Sequence, residues 1–190
     1  MTTDMQDKQQ KIFNSAQQMF KEYGFKGTNI VKITQHAGVA TGTFYRFYNS
    51  KEEIFIQVYA AENDRVKQTV LNDNDLDEEP RTLLPKVIHQ LMAQMNVSLI
   101  LQAWYTNPKL KQLIKDNSSM QDDFMYHTVF QLIKHWQTRN LLRPEMTMAR
   151  VQQLFEALVV VNNHQEELPT GDYKQLFTDL IEGVLDRILK

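Results

Sequence analysis

Tyr45 and Arg46 stand side by side, with Gly42 three residues ahead of the tyrosine and Lys51 five residues behind the arginine. A phenol can donate to a phosphate oxygen. A guanidinium fork matches a phosphate, or the O6 and N7 acceptors of guanine in a major groove. A glycine lets a backbone come close to a flat partner, and a lysine at a helix start can meet a second phosphate. These residue types at this spacing suit a polyanion. The stretch also packs four rings, Phe44, Tyr45, Phe47 and Tyr48, into five residues. A short buried helix can use two of them, and Phe44 and Tyr48, four apart, share its inward face. Thr41, Gly42, Tyr45 and Arg46 are then left on the open side.

The elements that must hold this stretch are helices. Ile12, Phe13, Ala16, Met19, Phe20 and Tyr23 recur at helical spacing, and Gly24 closes that helix. Thr28 or Asn29 caps a second helix running through Ala37, Gly38-Val39 makes a tight turn, and a third helix covers 41–47. Helix, glycine turn, helix is a helix-turn-helix pattern. Charge agrees. Residues 1–51 hold seven basic and three acidic side chains, a net +4, whereas the rest of the chain stands at −6. A basic first quarter on an acidic body points to a polyanion partner for that quarter.

In its "AQQMFKEYGFKGTNIVKITQHAGVATGTFYRFYNSKEEIF", within residues 9–55, the chain resembles the N-terminal domain of the tetracycline-repressor (TetR) family of bacterial transcription factors. The matching positions are Gly24-Phe25, Thr28, Ile33, Ala37-Gly38-Val39, Gly42-Thr43-Phe44-Tyr45 and Ser50-Lys51-Glu52. The resemblance implies a double-stranded DNA operator as partner, with Thr28, Thr41, Gly42, Thr43, Tyr45, Arg46 and Lys51 as DNA contacts. Two positions depart from the family pattern. Ala40 stands where a capping serine is common, and Phe47, with no donor, stands where a phosphate contact is common, so Phe47 is left out of the set. The family further implies a DNA-binding domain over residues 1–51, an effector-binding and dimerisation domain over 52–190, a homodimer and a cytoplasmic repressor.

Beyond residue 51 the pattern stays helical, with helices expected over 51–71, 82–104, 108–116, 119–139, 147–165 and 171–189, so the fold class is all-α with about nine helices. The helix over 82–104 is apolar on several faces and reads as surrounded. His89, Met92, Met95, Asn96, Trp104, Tyr105, Phe124 and Phe130 are the expected lining of a largely apolar effector pocket. Leu158, Val161, Phe177, Ile181, Val184 and Ile188 lie on the last two helices, the expected dimer seam. No cysteine is present, no histidine pair has ligand spacing, and no metal or cofactor is expected. Nucleophile-elbow, zincin and phosphate-loop patterns are missing, so no enzyme is expected. An architectural DNA binder without effector is the alternative, ahead of a metal sensor or a helical enzyme. No apolar run approaches membrane-spanning length.

Overall fold

Several helix starts in this chain carry side chains that cap them. A computed structural model describes residues 3–117, 124–169 and 171–190. Its helices are α1 (Thr3–Gly27), α2 (Ile30–His36), α3 (Thr41–Phe44), α4 (Lys51–Asn72), α5 (Pro80–Val97), α6 (Ala103–Thr106), α7 (Pro108–Asn117), α8 (Phe124–Thr138), α9 (Met148–Asn163) and α10 (Tyr173–Ile188). Asn29 Oδ1 accepts from Lys32 N, Glu79 Oε2 from Thr82 N, Thr147 Oγ1 from Arg150 N and Asp172 Oδ1 from Gln175 N. Each such cap is worth about 1 kcal/mol. Ser50 Oγ accepts from Glu53 N, and Glu53 reaches back to Asn49 N at 2.7 Å, a variant of the capping box. Among the described residues no strand forms, and the single extended pairing is an isolated bridge between Leu142 and Leu189.

The helix expected over 82–104 is two helices. It begins at Pro80 and stops at Val97. Ser98 donates to Glu62 Oε1 and accepts from Leu101 N, and Gln102 Nε2 takes the Asn96 carbonyl at 2.6 Å. These local bonds turn the chain before α6.

Packing divides the chain into two units, Met1–Val66 with Met92–Met120, and Lys67–Leu91 with Gln121–Lys190. This division does not fall at residue 51. The first turns of α4 belong with α1–α3, because Phe55 is fully buried and its ring sits 5.0 Å from both Phe20 and Phe25. Ile12, Ala16, Phe20, Ile33, Phe44 and Ile54 complete that core. The buried Glu62 carboxylate is held there by a two-pronged pair with Arg65 at 2.8 and 2.9 Å. In the second unit, Leu83, Leu84, Val87 and Leu91 of α5, Leu132, Ile133 and Trp136 of α8, Val151 of α9 and Ile188 of α10 are fully or almost fully buried. The Arg143 guanidinium donates to Leu189 O at 2.6 Å, and Lys190 N to Leu141 O at 3.1 Å, fastening the end of α10 to the segment before α9.

Candidate nucleic-acid interface

α1 is interrupted at Gly24, whose φ of 66° and ψ of 179° lie where a side chain would be strained. The break turns Phe25 inward onto Phe20 and Phe55 and leaves the carbonyls at the end of the helix without helical partners. Two side chains, one just past the helix and one remote in sequence, bond carbonyls there. The Thr28 hydroxyl, 2% exposed, donates to Gly24 O at 2.8 Å, within reach also of Met19 O at 3.0 Å. The Lys51 ammonium donates to Phe25 O and Thr28 O, both at 2.8 Å, and lies over the Phe25 ring. Burial pulls the Lys51 pKa down. Thr28 and Lys51 were expected to touch DNA. The Thr28 hydroxyl proton is engaged within the fold, as are two of the three ammonium protons of Lys51.

α2 and α3 are fixed by a second set of bonds. Ser15 Oγ donates to Ile33 O at 2.7 Å and stands 3.1 Å from His36 Nδ1, pinning α2 on α1. After α2, Gly38 (φ 67°) reverses the chain, and Val39 N returns to Thr34 O at 3.0 Å. Ala40 stands at the cap position of α3 with no side-chain bond. α3 has one regular turn, and Phe47 N and Tyr48 N continue onto Phe44 O. Phe44 is fully buried and Tyr48 is 2% exposed, their rings 5.5 Å apart. The opposite side of this turn is open. Thr41, Gly42, Tyr45 and Arg46 are exposed, Tyr45 by 55%, and Thr43 and Phe47 are half-buried. Among the described residues the Arg46 guanidinium and the Tyr45 hydroxyl have no partner. A Cβ placed on Gly42 would meet nothing within 4 Å, so no packing inside the chain requires a glycine there.

Residues 12–58 match the model of the bacterial regulatory proteins of the tetR family. That segment, about a quarter of the chain, is similar to the family's DNA-binding domain. The match spans α1 to α4, the elements just described. The chain is also similar to the fatty acid metabolism regulator protein of Bacillus subtilis, 24% identical over 115 residues; that match covers 57% of this chain and 59% of the relative. The chain thus spans about three fifths of that relative's length. In fold it is similar to the crystal structure of RolR in complex with resorcinol, with a TM-score of 0.68 at 15% identity, covering 99% of this chain and 90% of the other. It is also similar to FadR from Bacillus subtilis in complex with stearoyl-CoA, with a TM-score of 0.53 at 18% identity over 93% and 95% of the two chains.

The remaining expected sites fare unequally. His89 and Asn96 are exposed, so neither lines an enclosed cavity. His89 lies on the solvent side of α5, beside buried Ile88, and Asn96 lies at its last turn. Met92, Met95 and Phe130 are half-buried, and Lys134 Nζ lies 5.0 Å from the centre of the Phe130 ring. The side chains of Trp104, Tyr105 and Phe124 lie outside the described set. In the second unit a cavity of about 20 Å³ is walled by Ile88, Val129, Phe155, Leu158, Val159, Phe177 and Ile181, all apolar. Such walls offer a water no hydrogen bonds.

Leu158, Phe177 and Ile181, expected at a dimer seam, therefore belong to the unit's own interior, as does Ile188 at 0% exposure. Their repeat marked the buried stripe of α10, not its outer one. Val161 and Val184 are half-buried. With Leu154, Val160, Leu176 and Leu180, they are among the apolar side chains of α9 and α10 that the unit leaves partly or fully uncovered. Sequence reading also passed over the Ser50–Glu53 box, although S-x-x-E at a helix start signals it.

Proposed function

We propose that the chain is a sequence-specific, double-stranded-DNA-binding transcriptional regulator that acts as a homodimer, most simply as a repressor released by a small molecule. One observation carries the DNA reading. The second helix of the helix-turn-helix presents a ringed, positively charged and locally flat face, Gly42, Tyr45 and Arg46, whose polar atoms have no partner among the described residues. Arg46 has the fork for guanine, and Tyr45 the hydroxyl for a phosphate oxygen. The net +4 on residues 1–51 favours approach to a polyanion.

The homodimer reading rests on the partly uncovered apolar side chains of α9 and α10, which a two-fold copy would cover. The effector reading rests on relatives of like fold solved with stearoyl-CoA and with resorcinol. An effector would act by favouring a dimer state with recognition helices wrongly set for DNA.

Selection of fragments from a random DNA pool by the purified chain tests the core of this reading. One enriched sequence, with affinity falling steeply with salt through counterion release, is the expected result. Equal binding to all fragments points to an architectural binder, and no binding overturns the reading. Thermal-shift screening with acyl-CoA and phenolic compounds tests for an effector. A response that also weakens operator binding is expected.

A further inference from the structure

Thr41 is exposed at the start of α3, yet its hydroxyl is turned inward, 3.2 Å from the hydroxyl of Thr34. Thr34 is 1% exposed and donates its one proton to the Val31 carbonyl at 3.1 Å. A hydroxyl has a single proton. Both bonds coexist only if Thr41 donates to Thr34. The Thr41 donor is thereby engaged inside the helix-turn-helix, and its β-branched side chain, like that of valine, is stiff at χ1. The apolar Cγ2 methyl is the part of Thr41 left to an outside partner.

We propose that Thr41 is a specificity-determining residue that reads the C5-methyl group of a thymine in the operator's major groove by apolar contact. This goes beyond the assignment of Thr41 as a DNA contact and rests on the DNA-binding reading above. A methyl group on a rigidly held threonine is complementary to the thymine methyl, the one apolar feature of the major-groove edge. Its neighbours allow the approach. Ala40 ends at a methyl and Gly42 has no side chain, so nothing long stands between Thr41 and the floor of a groove. Arg46 then supplies the polar half of the readout. A half-site of this kind contains a guanine for Arg46 and a thymine for Thr41.

The experiment uses the full-length chain and the DNA it selects from a random pool. Each thymine of the selected half-site is replaced in turn by deoxyuridine, which removes only the C5-methyl. Wild-type protein should lose affinity at one thymine by roughly fourfold, the size expected for one buried methyl group. Thr41→Val keeps both the shape and the methyl, and should show the same loss on the same site. Thr41→Ser keeps the hydroxyl without the methyl. It should bind thymine and deoxyuridine duplexes equally, at the affinity of wild type on deoxyuridine. Uridine-insensitive binding throughout, a loss that persists in Thr41→Ser, or a collapse of binding in a folded Thr41→Val would each overturn the proposal. Circular dichroism melts of both variants separate misfolding from lost contact; Thr41→Ser should keep the wild-type midpoint and Thr41→Val, without the bond to Thr34, should melt slightly earlier. Failure of the pool to yield any preferred sequence would instead remove the sequence-specific reading, and this proposal with it.

Discussion

Lys51 and Thr28 form one joint. The lysine ammonium donates to the threonine carbonyl at 2.8 Å, while the threonine hydroxyl faces the last carbonyls of α1. Both residues belong to the motif that carries the family resemblance, and in this chain both serve the shape of the headpiece. Thr28→Val should cost about 1–2 kcal/mol of stability, since it leaves buried carbonyls unpaired. Lys51→Met should cost a similar amount, about 1–2 kcal/mol, from two charge-assisted bonds. Denaturant melts measure the loss. Operator affinity per folded molecule should change little in Thr28→Val. A large affinity loss at unchanged stability would return Thr28 to the DNA surface.

Arg46→Ala should cost roughly 1–3 kcal/mol on the preferred operator. The fold should be unaffected, because the side chain is exposed and unpartnered among the described residues. Titrations on preferred and random duplexes decide its role. Loss confined to the preferred site assigns it to a base, and equal loss on both assigns it to a phosphate.

Gly42→Ala should fold as the parent does or slightly better, since the new Cβ meets nothing and glycine in a helix is worse than alanine by about 0.5–1 kcal/mol. Operator binding should nonetheless weaken. An unchanged affinity would mean that the backbone at Gly42 does not approach the groove closely.

Val184→Arg and Ile181→Arg should behave differently. Ile181 lines the apolar cavity of the second unit, and a charge there should unfold it. Val184 is half-buried, and its arginine should leave the protomer folded. If α9 and α10 pair with a copy, sedimentation should find Val184→Arg monomeric, with operator affinity much reduced. A dimeric Val184→Arg would move the interface elsewhere.

Burial pushes the Tyr173 phenol up to about 12, from an ordinary value of 10.0. Its hydroxyl donates to Asn162 Oδ1 at 3.2 Å. Between these values the folded chain keeps a proton that the unfolded chain loses, so stability falls as pH rises through this window. Tyr173→Phe should remove that part of the alkaline destabilisation while losing one hydrogen bond at neutral pH. Denaturant melts at pH 8 and above, run on both proteins, test this. Equal pH slopes would show that the phenol ionises alike in both states.

Periodicity was enough to foresee most of the longer helices, because each buries an apolar stripe. The break after Val97 was not legible, since it depends on Ser98 meeting Glu62, a residue 36 positions away. The inward ring pair Phe44 and Tyr48 followed from four-residue spacing alone. Thr28 and Lys51 did not, because a threonine or lysine pattern is the same whether its polar atoms face DNA or a stranded carbonyl. The same ambiguity misdirected the seam on α10. A 3-4 repeat marks a buried stripe, and whether a copy or the chain itself covers it depends on the packing of α5, α8 and α9.

The closure of α1 by Thr28 and Lys51, backed by Phe55, bears on how a DNA-reading headpiece can be moved between regulators. A graft joined just before Lys51 would leave the Phe25 and Thr28 carbonyls to whatever residue the recipient offers, and would remove the ring that seats Phe20 and Phe25. A junction beyond Val58, on the solvent side of α4, carries the plug and the ring together. The transferable piece therefore runs past the helix-turn-helix and into α4, to the end of the matched segment.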